Sequence, residues 1–140
     1  MRLDLYQAET ARIAAEQAAL LTQAREIMAQ RNLSLLEQGG MLHALQVLIE
    51  NAIGKAKHLL KARGEPVPVS AYDTFAVLAR CGDIDLETLP AWNAVIGLRN
   101  RIVHDYMNID MNKVMELVMS DSDRFITEFL LKPIKSKSSL

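Results

Sequence analysis

Apolar residues recur at helical spacing along this chain, and no segment shows the alternation of a strand. Tyr6, Ile13, Leu20 and Ile27 return every seven residues, with Leu21, Ala24 and Met28 beside them. This predicts one long helix over about residues 4–31 with a single buried seam. Ser34 and Glu37 in "SLLE" have the capping-box spacing, in which hydroxyl and carboxylate each satisfy a free N–H at a helix start. A second long helix follows and is closed by Gly64. The prolines of "EPVPVS" cannot donate to a sheet ladder, so that tract reads as an extended crossing. Ser70 and Asp73 open a short helix, "AYDTFAVLAR", that stops at Gly82. A fourth helix starts between about Leu86 and Pro90, where proline is tolerated, and runs to about Tyr106. A fifth, capped by Asn108 or Asp110, continues to about Leu131 before Pro133. The expected fold class is all-α, a helical bundle of four to five helices.

At 140 residues, half of them hydrophobic, the chain is long enough to bury one core and too short for two. We expect a single helical domain over residues 1–132 and a flexible basic tail over 133–140, "PIKSKSSL". A formal net charge of −1 excludes attraction of nucleic acid by the whole surface, so any polyanion must be recognised by a local patch. Cys81 is the single cysteine, which excludes an intrachain disulfide and a thiolate zinc cluster. The N-terminal stretch has no apolar signal core, and no run approaches the roughly 18 apolar residues of a membrane span. The expectation is a cytoplasmic protein with no membrane partner.

The stretch "GLRNRIVHDYMNID", Gly97–Asp110, sets charged and aromatic groups into this apolar pattern. On a regular helix Arg99 falls in the middle of an arc formed by Trp92, Val95, Ile96, Leu98, Ile102 and Val103, with Tyr106 about 20° away. A second stripe, Asn93, Gly97, Asn100 and His104, holds only small or polar side chains and suits close approach by a helix or ligand. Arg101 and Asp105, four apart, are expected to form a solvent-facing ion pair. Two readings of Arg99 stay open: a structural arginine paired with a carboxylate such as Glu50, or a functional cation. Arg99 and His104 subtend about 140° on a regular helix, so one protomer does not naturally aim both at one atom. Two copies packed along the stripe would bring two arginines and two histidines into a shared cleft.

The pattern Arg, four residues, His, one residue, Tyr in "RNRIVHDY" resembles the signature of the HEPN superfamily, specifically its HepT branch. "SAYDTFAVLA" upstream and the "GLRN" before the motif extend the likeness over about residues 66–110. The resemblance implies an all-helical, dimeric ribonuclease needing no metal or cofactor. It further implies the toxin of a bacterial toxin–antitoxin pair whose antitoxin is a small nucleotidyltransferase, MntA. By the same resemblance Arg99 and His104 are the catalytic pair, Asn100 is their companion, and Tyr106 is where the antitoxin attaches AMP. Arg101 adds positive charge beyond the shared pattern.

These residue types suit the chemistry. RNA can be cut without a metal when a base removes the proton of the ribose 2′-OH and a cation stabilises charge on the phosphorane oxygens. Histidine exchanges protons near neutral pH, and the arginine fork matches phosphate. DNA, lacking the 2′-OH, is inert by this route. The alternative is a non-catalytic HEPN subunit that binds a nucleotidyltransferase, with the arginine structural and the tyrosine packed. Other prominent residues read as scaffold: His43 and His58 as ordinary helix residues, and Met107, Met111, Met115 and Met119 as a packing stripe. Cys81 reads as a small residue at a helix end. Lys55, Lys57, Lys61 and Arg63 read as a solvated basic helix end.

Overall fold

The computed structural model describes residues 3–134, so positions 135–140 of the expected tail lie outside the described residues. Its α-helices are α1 (Leu3–Met28), α2 (Leu35–Ala62), α3 (Ala71–Arg80), α4 (Leu89–His104), α5 (Met111–Met119) and α6 (Arg124–Leu131). Single turns of 3-10 helix span Leu86–Thr88 and Tyr106–Asn108, and no strand occurs among the described residues. The capping box at the head of α2 forms as its spacing predicts: Glu37 N–H donates to Ser34 Oγ at 3.1 Å, and Ser34 N–H to Glu37 Oε1 at 2.8 Å. Arg31 grips the same carboxylate from outside. That guanidinium, helped by the Ser34 N–H, holds the Glu37 carboxyl down at about 2.

Two departures from the sequence reading are informative. In α1 the seven-residue period holds but its phase is shifted by one: Ala14, Leu21 and Ala24 are buried, whereas Leu20 is 43% exposed. Small alanines let α1 lie close against α2, and the larger Tyr6, Ile13 and Ile27 flank that contact half-buried. The expected fifth helix is instead two, broken at Asp121. Asp121 adopts a left-handed conformation, φ 60°, and Ser122 N–H returns to the Leu117 carbonyl at 3.0 Å. Gly64 and Gly82 end α2 and α3 with the same six-to-one bond. No glycine advertises the third stop. Arg25 of α1 helps hold it, with Nη1 3.3 Å from Asp121 Oδ1 and 3.5 Å from the Val118 carbonyl. Burial pushes the carboxyl of neighbouring Asp123 above the ordinary range.

At the centre lies α2, which packs on α1, α3, α4 and α6. All three phenylalanines and the single tryptophan form one cluster that ties α3, α4 and α6 together. The Phe75 ring stacks on Trp92 at 4.3 Å, and Phe125 and Phe129 meet Trp92 edge-on at 4.8 and 5.1 Å. Into this core α2 sends a cation. Lys55 is 2% exposed, and its ammonium donates to the carbonyls of Phe129 at 2.7 Å, Leu130 at 3.3 Å and Lys132. It caps the C-terminal end of α6, where helical carbonyls lack internal donors. Of the basic run only Lys55 departs from the reading as a solvated helix end: Lys61 and Arg63 are exposed, Lys57 reaches the Val69 carbonyl and Arg63 pairs with Asp83.

Burial, with lesser repulsion from Lys132, pushes the Lys55 pKa down to about 8. The folded state thus binds this proton less tightly than the unfolded chain, and that penalty is relieved as pH rises from 8 towards the ordinary lysine range. Lys55→Met should lower the unfolding free energy by about 2 kcal/mol at pH 7, because three carbonyls lose a charged donor. The deficit relative to wild type should widen between pH 8 and 10. Urea unfolding of both proteins across that range checks the sign.

Candidate functional site

The chemistry-bearing stretch occupies the last two turns of α4 and the corner that follows. The N-terminal half of α4 is sealed by Trp92, Val95 and Ile96, each 2% exposed or less. Farther along the cover thins: Arg99 is half-buried, and Val103, on the same side of the helix, is 45% exposed. Among the described residues no carboxylate pairs with Arg99, and its Nε is enclosed without a hydrogen-bond partner. Glu50, a candidate structural partner, is exposed and accepts instead from Gln46 at 3.4 Å. The structural reading of Arg99 thereby loses its counter-charge. A guanidinium held this way has unmet capacity for an anion.

His104 is the last residue of α4 and is exposed. The helix stops there because Asp105 leaves helical geometry, at φ −149° and ψ 45°. Its carboxylate accepts from the Asn108 side-chain amide at 2.7 Å and its carbonyl from the Asn108 N–H at 3.0 Å. Asp110 then caps α5, with Oδ1 accepting from Lys113 N–H at 3.3 Å. This corner overturns two expectations. Tyr106 does not continue the α4 wheel, so the angle of about 20° from Arg99 no longer describes it; it stands on the 3-10 turn with its side chain 51% exposed. Arg101 and Asp105 form no ion pair, because Asp105 is committed to Asn108. The signal for the corner was present as Asp and Asn three apart, a spacing typical of side-chain-closed turns.

The small-residue stripe is also modified. Asn93 and His104 are exposed and Asn100 is half-buried, but Gly97 is covered by its own chain. A Cβ at Gly97 would stand 3.5 Å from the hydroxyl of Tyr72, on the first turn of α3. Nothing in the sequence announced that contact. Arg99 and His104 lie on a regular helix, so the separation of about 140° between them persists.

Elsewhere the scaffold readings fit except at two of the four methionines. His58 Nδ1 lies 2.9 Å from the Gly54 carbonyl and its ring stacks on Tyr6 at 4.0 Å. His43 is exposed on α2, and Cys81 is the C-cap of α3. Met111 and Met115 pack against the core edge, while Met107 and Met119 are exposed. Among the described residues no three His, Cys, Asp or Glu side chains gather as a metal site, and no helix is long and apolar enough to cross a membrane.

Comparison with known proteins agrees with this fold. The chain is 29% identical over 92 residues to the mRNA nuclease HepT of Shewanella oneidensis, covering 64% of this chain and 69% of that protein. Its fold superposes with a TM-score of 0.80 on a tri-AMPylated Shewanella oneidensis HEPN toxin solved in complex with an MNT antitoxin. That match has 22% identity and covers 89% of this chain and 93% of that one. A toxin–antitoxin structure with AMP-PNP matches at a TM-score of 0.78 and 20% identity, covering 89% of this chain and 97% of that one. These solved structures share the fold. The sequence profile of the HepT-like ribonucleases matches residues 14–130, from α1 to the end of α6 and across the whole corner, and the chain belongs to that family.

Proposed function

We propose that this chain is a metal-independent endoribonuclease, the cytoplasmic toxin of a pair whose antitoxin is an MntA-type nucleotidyltransferase. The observation that carries the reading is the half-buried guanidinium of Arg99, which has no carboxylate partner among the described residues, five residues before the exposed His104 on the same helix. His104 takes the proton of a ribose 2′-OH, and the 2′-oxygen attacks the adjacent phosphorus. The bond to the 5′-oxygen breaks, that oxygen is protonated, and a 2′,3′-cyclic phosphate remains. Arg99 stabilises charge on the phosphorane oxygens, and Asn100 beside it offers a neutral donor to the same phosphate. Because one helix holds Arg99 and His104 about 140° apart, a homodimer completes the site, each copy placing its arginine near the other's histidine. The mRNA nuclease among the relatives supports RNA as substrate.

Tyr106 is the control point. Its exposed phenol, on a turn between α4 and α5, is open to a partner enzyme. The phenolic oxygen attacks the α-phosphorus of ATP, pyrophosphate leaves, and AMP stays on the tyrosine. The AMPylated toxin with its MNT antitoxin, among the structural relatives, supports this step.

Arg99→Ala and His104→Ala should each reduce RNA cleavage by about a hundredfold or more while helical circular dichroism stays near wild type. Arg99→Lys should fail as well, since an ammonium lacks the planar fork. Full cleavage by a folded His104→Ala protein would overturn the mechanism, and a folded wild-type chain that cuts no RNA would favour the non-catalytic binding subunit.

Tyr106→Phe should fold and cut RNA yet escape silencing. Intact-mass measurement after incubation with the nucleotidyltransferase and ATP should show added AMP on wild type and none on the variant. A mass gain that persists in Tyr106→Phe places the modification on another residue.

A further inference from the structure

Two exposed side chains beyond the Arg, His and Tyr of the motif flank one edge of α4: Arg101 on that helix and Tyr72 on the first turn of α3, laid against Gly97. We propose that Tyr72 and Arg101 form a strand-holding subsite beside the cleavage position, Tyr72 stacking one base of single-stranded RNA and Arg101 holding a nearby phosphate. This rests on the ribonuclease reading above and adds to it where the uncleaved part of the strand is bound.

Gly97, Arg101 and His104 follow one another at four and three residues along α4, so they share an edge and span about 10 Å of helix rise. Arg101 is exposed and has no side-chain partner among the described residues. The carboxylate that helical spacing would give it, Asp105, has left the helix and accepts from Asn108 at 2.7 Å. By contrast Arg12, Arg25, Arg31, Arg63 and Arg124 each close on a carboxylate. An unpaired guanidinium one turn before His104 is placed to bind a backbone phosphate.

The aromatic residues make the second half of the case. The phenylalanines and the tryptophan are consumed by the core cluster, and Tyr6 is stacked on His58. Tyr72 is 40% exposed, and its hydroxyl rests at Gly97, 3.5 Å from where a Cβ would stand. Glycine leaves room for the phenol, and any side chain longer than alanine would lift it away. The ring is thus laid against α4 in one orientation, and a platform ordered in advance loses little entropy when a base stacks on it. Stacking tolerates every base, because each has a π-face. A base on Tyr72 belongs to a near neighbour of the nucleotide cut at His104, with Arg101 between them.

The test uses the full chain carrying His104→Ala, which binds RNA without cutting it, and a fluorescein-labelled single-stranded RNA of mixed sequence followed by anisotropy. Tyr72→Ala should weaken binding roughly 5- to 100-fold, and Tyr72→Phe should restore it because the ring is kept. Arg101→Gln should weaken binding and make the salt dependence shallower by roughly 0.7 in the log–log slope, one phosphate contact. With 2-aminopurine moved position by position through the RNA, one position should be quenched by the protein and released by Tyr72→Ala. In the chain that keeps His104 and cuts RNA, Tyr72→Ala should raise KM and leave kcat within about twofold. Unchanged affinity in Tyr72→Ala and Arg101→Gln overturns the subsite. So does a changed oligomer mass by light scattering, or lost binding of the nucleotidyltransferase, with RNA affinity intact: the edge is then a protein interface. Because affinity is read apart from cleavage, a wild-type chain that binds RNA through these residues without cutting it contradicts the ribonuclease reading alone.

Discussion

Burial of α2 over about half of its circumference is the constraint around which the other helices are arranged. Leu42, Ala44, Leu45, Leu48, Ile49, Ala52, Ala56 and Leu60 are each 1% exposed or less, and they do not lie on one stripe. A helix apolar on several sides must be surrounded, and α1, α3, α4 and α6 surround it. Lys55 sits on the same cylinder, where its ammonium has no route to water. The C-terminal carbonyls of α6 need donors at that point, so an otherwise costly charge and an otherwise unfinished helix end satisfy each other. This is why a residue that reads as part of a basic surface run belongs to the scaffold.

Against that scaffold α4 is unusual in changing character along its length. Its first half belongs to the core through Trp92, Val95 and Ile96, whereas in its last turns Ile102 alone stays buried and Val103 and His104 are exposed. Arg99 stands at the handover. Stability alone gives no reason to keep an enclosed Nε without a partner, an arrangement that costs about 1–3 kcal/mol. On the proposed function a phosphate ligand supplies that reason, in a chain that belongs to the HepT-like ribonuclease family.

Helix starts and glycine stops were legible because they rest on local chemistry: Ser34 with Glu37, Ser70 with Asp73, and Gly64 and Gly82 all act where their spacing says. The phase of α1 was not legible, because Leu20 and Leu21 are equally apolar and only close packing against α2 chooses between them. Asp121 hid a helix break because a non-glycine residue took the left-handed position, helped by Arg25 from a distant part of the chain. The site residues were readable as a motif, but their setting was not. Extending the helical wheel to Tyr106 assumed a helix that Asp105 ends, and the Tyr72 contact joins residues of α3 and α4 that no local pattern connects.

That corner also limits how silencing can work. Asp105 leaves the helix to hold Asn108, and this one local choice ends α4 at His104, turns Tyr106 outward and leaves Arg101 without its natural counter-ion. If AMP is attached to Tyr106 as proposed, its phosphate lies within a few residues in sequence of Arg99 and Arg101, which have no carboxylate partner among the described residues. An exposed ion pair is worth about 1 kcal/mol at most, less than a tenfold effect on occupancy. A polynucleotide touching several cations at once outcompetes a single contact of that size. On the proposed switch, charge can orient the attached nucleotide but cannot alone keep RNA away. The bulk of the nucleoside lying across the His104 end of α4 has to exclude the strand, and the 3-10 turn that carries Tyr106 directly after α4 is where that bulk would be attached.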